Sequence, residues 1–123
     1  MIAGSPKPLA VVIDDDPAAA EALELTLRDW GADVIAARSV RAVLAEIAEV
    51  APTISWVITD FDLGAENGVE GARAVLAEAP QARVLVLSGN LDGGAGRAAA
   101  EAGFDALEKP AAVSAIAAWL ERV

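Results

Sequence analysis

Asp14-Asp15, Asp60, Ser88 and Lys109 are the residues of this 123-residue chain whose types can do chemistry together. Each stands at or just past the end of a short apolar run: Leu9–Ile13, Trp56–Thr59, Val84–Leu87 and the minimal Ala106–Leu107. Taken singly, an aspartate after a strand is a turn or a helix cap, and a lysine is a surface charge. Taken together they are harder to dismiss, because a sequence has little reason to put these types at the ends of four strands of one crevice. Three converging carboxylates repel, which raises the pKa of at least one unless a cation joins them. Oxygen-only ligands favour Mg²⁺, which accepts a few carboxylates and keeps several waters. A hydroxyl and an ammonium on the other side suit a phosphoryl group. The chemistry this set can do is therefore phosphate chemistry with a metal.

Composition removes the main rivals. There is no Cys, no His and no Tyr. Without His or Cys there is no Ser-His-Asp or Cys-His nucleophile and no ordinary zinc site; without Cys there is no disulfide framework. Nine basic against nineteen acidic side chains leave a formal charge of −10, which opposes binding to nucleic acid or to an anionic membrane surface. The 55% hydrophobic content is less greasy than it looks, since thirty of those residues are alanine. No run approaches the ~20 apolar residues of a membrane span. The start, Met-Ile-Ala-Gly-Ser-Pro-Lys-Pro, has no apolar stretch of the signal-peptide kind. A single cytoplasmic domain is expected, with residues 1–7 flexible and 8–123 folded.

The elements that must position the site follow from periodicity. The apolar run Leu9–Ile13 reads as a buried strand, and Asp16-Pro17 as a cap and first residue of a helix carrying Leu23, Leu27 and Trp30. Gly31 stops it. A strand at Val34–Ala36 precedes a helix capped by Ser39, with Val40, Leu44 and Ile47 on its apolar face. The strand Trp56–Thr59 ends at Asp60, and a turn-rich stretch, Phe61 to Gly68, leads to a helix carrying Val69, Ala72 and Leu76. After Val84–Leu87 comes a glycine- and alanine-rich segment, Asp92 to Gly103, with room for a short helix over Arg97–Ala102. A minimal strand, Ala106–Leu107, and a helix carrying Val113, Ile116 and Leu120 complete the chain. This five-fold β-α alternation with wholly apolar strands predicts a flavodoxin-like, doubly wound (βα)5 fold. Its five-stranded parallel sheet should run 2-1-3-4-5. The site of such a fold lies beyond the carboxyl ends of the strands, at the switch point between strands 1 and 3.

From Val11 to Leu120 the chain resembles the receiver domains of two-component response regulators. The resemblance rests on Val-Ile-Asp14-Asp15-Asp16-Pro17, on Val-Ile-Thr-Asp60-Phe-Asp62-Leu with Gly68 downstream, on Val-Leu-Ser88-Gly89 and on Glu-Lys109-Pro110. It implies that Asp60 is the phosphoacceptor. Asp15, the Asp60 carboxylate and the backbone carbonyl of Asp62 would ligate Mg²⁺, with Asp14 supporting through bound water. Ser88 would supply the hydroxyl, and Lys109 would contact the phosphoryl oxygens ahead of a cis Lys109–Pro110 bond. The implied donor is the phosphohistidine of a sensor histidine kinase or histidine phosphotransfer domain. Hydrolysis, tuned by the flanking Asp62 and Asn90, would reset the switch. The family's output face is the fourth helix, fifth strand and fifth helix, through which a dimer could form.

Three departures stand out. Ala106 sits where the family usually carries a Tyr or Phe that turns inward, Ala111 replaces the common aromatic after Lys-Pro, and the stretch from Gly103 to Lys109 is one residue short. This short, aromatic-free version, with Asp29-Trp30-Gly31, looks most like receivers at the C-terminal end of hybrid sensor histidine kinases. Two alternatives remain open on the residues alone. One is an interaction module of the same fold that works without phosphorylation. The other is an aspartyl-phosphate hydrolase of the haloacid-dehalogenase type, whose Asp-x-Asp is mimicked by Asp60-Phe61-Asp62, although its acidic pair should follow the lysine in sequence. The Asp92–Gly103 segment offers only alanines to a core, so its helix is expected to be the least stable element, and the Ser88–Gly103 segment is expected to order on phosphorylation. Trp119 is expected partly exposed beside it, where it could anchor a partner.

Overall fold

The three central apolar runs, at Leu9–Ile13, Ile54–Asp60 and Arg83–Ser88, are buried on both faces because each feeds two cores at once. A computed structural model of the chain describes residues 7–122. Ten principal elements alternate along it: β1 (Leu9–Ile13), α1 (Pro17–Trp30), β2 (Asp33–Ala37), α2 (Val40–Ile47), β3 (Ile54–Asp60), α3 (Gly68–Glu78), β4 (Arg83–Ser88), α4 (Ala95–Ala102), β5 (Asp105–Glu108) and α5 (Val113–Glu121). The strands form one parallel sheet in the order β2-β1-β3-β4-β5, as expected. Val11 and Ile13 of β1, Val57 of β3, and Val84 and Val86 of β4 face a core closed by α2, α3 and Ala99 of α4. The alternate residues Ala10, Val12, Trp56, Ile58, Leu85 and Leu87 face a second core under α1 and α5. That two-sided burial is why the strands carry no polar alternation. The first six residues, expected to be flexible, lie outside the described residues.

Local signals place the helices. The Asp16 carboxylate accepts from the Ala18 N–H, with Pro17 at the first helical position, and Ser39 and Asn67 cap α2 and α3 in the same way. Gly31 closes α1 in the left-handed region at φ 117°, which a side chain would strain. Glu24 and Arg28 form the outward pair at 2.8 Å. α4 begins two residues earlier than the sequence suggests. Gly94, in the left-handed region at φ 104°, stands at its N-cap with no side-chain bond, so a residue that reads as a breaker here marks a helix start.

Several face assignments are corrected. Val43 and Val75 are buried where Leu44 and Leu76 were expected and only partly cover the core. Helical spacing allows i+3 or i+4, and the angle of each helix on the sheet selects between them. The larger correction concerns α5, which buries Ile116, Trp119 and Leu120 while Val113, its first residue, is 63% exposed. Trp119 is only 4% exposed. Its indole N–H donates to Asp105 Oδ2 at 2.8 Å, and the Arg83 guanidinium stacks 4.4 Å over the ring. Arg83 also donates to the Trp119 and Arg122 carbonyls at the C-terminal end of α5. Trp119 is thus a buried fastener of α5, not an exposed partner anchor. Trp30, at the end of α1, meets Trp56 edge-on at 5.3 Å.

Candidate functional site

The parallel register brings the carboxyl ends of β1, β3, β4 and β5 to one edge, and with them Asp14, Asp15, Asp60, Ser88 and Lys109. Asp14 follows β1 directly, Asp60 is the last residue of β3, Ser88 the last of β4, and Lys109 follows β5. One carboxylate oxygen from each of Asp14, Asp15 and Asp60 lies within 4.8 Å of the others. Asp14 is buried, Asp60 half-buried and Asp15 exposed, so the cluster opens from the core floor to solvent.

Backbone contacts hold the cluster in place. Asp14 Oδ1 accepts from the Asp16 N–H at 3.0 Å, and the Asp14 N–H donates to Ala37 O on β2 at 3.1 Å. At β3 the Phe61 N–H donates to Leu87 O at 2.8 Å, which continues the ladder one step past Asp60. Beyond it the turn-rich stretch folds into a small antiparallel hairpin, Asp62–Leu63 against Glu66–Asn67, where the sequence pattern predicts only turns. Gly68 then packs onto the Asp60 carbonyl so closely that a Cβ there would collide with it. Its N–H closes the loop on Phe61 O at 2.7 Å. Across the crevice the Lys109 N–H donates to Ser88 O at 2.8 Å, tying the lysine loop to the end of β4. Ser88 Oγ accepts from the Asn90 N–H at 3.1 Å, which leaves the hydroxyl proton for another acceptor. The Lys109–Pro110 bond is cis, as the resemblance implied.

Electrostatics complete the picture. Lys109 Nζ reaches Asp60 Oδ1 at 3.2 Å and Asp14 Oδ2 at 3.5 Å. Burial pushes the Asp60 carboxyl above its ordinary value, and the neighbouring ammonium offsets this only in part. Burial works against the Lys109 charge as well, but the Asp14 and Asp60 carboxylates outweigh it and hold its pKa above the usual lysine value. One ammonium thus meets two of the three clustered carboxylates, Asp14 and Asp60. The all-oxygen donor set, with a net negative charge and an opening to solvent at Asp15, fits a hard divalent cation. Sequence reasoning missed Thr59, a fully buried hydroxyl whose proton goes to Asp60 O at 2.9 Å. Its only signal was a polar residue inside an otherwise apolar strand.

Fold and strand ends together define a flavodoxin-like α/β domain with an acidic site at its topological switch point. The profile of the response regulator receiver domain family matches residues 10–121, and the chain belongs to that family. A receiver domain structure from Clostridium thermocellum superposes with a TM-score of 0.79 at 26% identity, over 92% of this chain and 90% of that one. A response regulator from Burkholderia pseudomallei, with a phosphorylated aspartic acid, a calcium ion and citrate, gives 0.82 at 28% identity, over 94% and 67%. The chemotaxis protein CheY4 of Vibrio cholerae, at 21% identity, shares the fold with a TM-score of 0.83 over 96% of this chain and 99% of that one. A comparison with curated protein sequences found no match. Receiver domains are switches phosphorylated on aspartate rather than enzymes in the ordinary sense, and they bind a divalent ion at an aspartate cluster of this kind. Their partners are histidine kinases and phosphotransfer proteins. Membership decides against the hydrolase alternative. Among the described residues no helix is long and apolar enough to cross a membrane.

Proposed function

We propose that Asp60 accepts a phosphoryl group from a partner's phosphohistidine in a Mg²⁺-dependent transfer. The observation that carries this reading is the Lys109 ammonium bridging Asp60 and Asp14 beside the three-carboxylate cluster. The chain has no His, so the donor imidazole comes from another domain or another protein. An Asp60 oxygen attacks phosphorus in line with the P–N bond; that bond breaks and the imidazole leaves, taking a proton from solvent. The step needs positioning and charge neutralisation more than covalent help from the protein. Lys109 neutralises charge on the phosphoryl oxygens, and the free Ser88 proton hydrogen-bonds one of them. Asp15, Asp60 and the Asp62 carbonyl hold Mg²⁺, with Asp14 behind them, and the ion supplies further charge stabilisation.

The approach face is apolar. A cleft of about 450 Å³ runs between α1 and the Lys109–Ala111 loop, lined by Ala19, Ala22, Leu23, Ala111 and Ile116 and reaching Asp14 and Lys109. The phosphohistidine-bearing partner covers this face, and a dimer, where one forms, uses the α4–β5–α5 side. The small side chains at 106 and 111 suit a cytoplasmic receiver joined to a histidine kinase, with residues 8–123 forming the domain. Incubation with acetyl phosphate and Mg²⁺, read on a phosphate-affinity gel, tests the reading. Label on the wild type and none on Asp60→Asn supports it. An unlabelled wild type leaves the phosphorylation-independent module instead.

A further inference from the structure

Thr59 interrupts the apolar face of β3. Val57, two residues earlier on the same face, packs into the core under α2 and α3, and Thr59 is flanked in register by Ile13 and Val86. A valine would continue that face with nearly the same shape. The hydroxyl is fully buried, and a buried hydroxyl is costly unless it is bonded. Its bond goes to the main chain of the acceptor: Thr59 Oγ1 donates to Asp60 O at 2.9 Å. The N–H of the same peptide, that of Phe61, donates to Leu87 O at 2.8 Å. The peptide that follows Asp60 is therefore held at both its polar atoms, and Gly68 lies against the carbonyl with no room for a Cβ. Rotation of that peptide would swing the chain after Asp60, and with it the Asp62 carbonyl two residues on, out of place relative to the Asp60 carboxylate.

We infer that Thr59 is a positioning residue, whose hydroxyl, by holding the Asp60 carbonyl, fixes the Asp62 carbonyl against the Asp60 carboxylate and so sets the geometry in which the pair meets the cation and the phosphoryl group. The inference rests on the reading of Asp60 as acceptor. Its test compares Thr59→Val, Thr59→Ser and Thr59→Ala with wild type, all checked for folding by circular dichroism. Two readouts are taken: the rate of acetyl-phosphate labelling at saturating Mg²⁺, and Mg²⁺ affinity by calorimetry without any phosphodonor. The Ser variant keeps the hydroxyl and should label within about twofold of wild type, while Val and Ala should label about tenfold more slowly and bind Mg²⁺ more weakly. Should Val fail to fold, the Ser–Ala pair decides. Equal losses in Ser and Ala, or wild-type rate and Mg²⁺ affinity in Val, overturn the inference. An unlabelled wild type overturns instead the reading of Asp60, and the hydroxyl's role is then decided by Mg²⁺ affinity alone.

Discussion

Lys109 Nζ lies 3.2 Å from Asp60 Oδ1, closer than to Asp14 Oδ2 at 3.5 Å, so the lysine's first partner is the proposed acceptor. Even so, burial leaves Asp60 above its ordinary pKa, which means that its ionised form is disfavoured in the fold. A group bound more tightly to its proton when folded costs stability once it ionises, and that cost sets in as pH rises through the folded pKa. Asp60→Asn should therefore melt at or above the wild-type temperature at neutral pH, with the advantage shrinking in acid as Asp60 itself becomes protonated. The same variant should take no label from acetyl phosphate. Calorimetric scans at several pH values check the first part; a variant less stable than wild type at pH 7 would contradict it.

Mg²⁺ should stabilise the fold. The carboxylates of Asp14, Asp15 and Asp60 repel one another, and a cation relieves that repulsion only in the native state. Binding to the native state alone adds about 2.7 kcal/mol at a hundredfold excess over Kd, a rise of several degrees in Tm. Asp15→Asn should flatten the response. A Tm indifferent to millimolar Mg²⁺ at constant ionic strength would refute the metal assignment.

The lysine predicts a loss of stability in alkali. Its pKa is lowered by burial and raised by Asp14 and Asp60, with a net shift upward. The stability from such a group is fully present below the unfolded value, about 10.4, and is lost as pH rises through the folded value. Wild type should lose stability above roughly pH 10, and Lys109→Met should show a flatter alkaline limb. Parallel limbs in the two proteins would show that the pair contributes nothing.

The tryptophans should be silent reporters. Trp56 lies four residues before Asp60 on β3, about 13 Å away at about 3.3 Å per residue. Trp30 packs on Trp56, and Trp119 is bonded to Asp105 at the start of β5. All three sit at the end of the sheet remote from the site. Intrinsic emission should not change on adding Mg²⁺ or beryllofluoride. A clear quench would mean that the site communicates along the full length of the sheet.

α4 should exchange its amide hydrogens fastest among the five helices. It buries only Ala95 and Ala99, and its Gly94 cap supplies no side-chain bond. Alanines bury little area at roughly 25 cal/mol per Å². Because the helix is formed in the unmodified chain, the expected effect of phosphorylation narrows from folding a coil to steadying a marginal helix. Hydrogen exchange with and without beryllofluoride reads it directly; protection in α4 equal to that in α1 would end the idea.

The strand runs, the caps at Asp16 and Ser39, the sheet order and the convergence of Asp14, Asp15, Asp60, Ser88 and Lys109 were all legible in the sequence. They depend on local pattern and on a topology rule that puts strand ends together. What stayed hidden depends on which neighbour covers a residue. Trp119 and Val113 exchange roles because the approach of α5 to β4 and β5, fastened by Arg83 and Asp105, decides which side of a helix is covered. Val43 and Val75 displace Leu44 and Leu76 for the same reason. Thr59 reads as an ordinary strand residue until α3 brings Gly68 onto the Asp60 carbonyl beside it. Periodicity specifies a stripe to within one helical position, whereas hydrogen-bond partners and burial arise from residues distant in sequence. Only the packed chain brings those together.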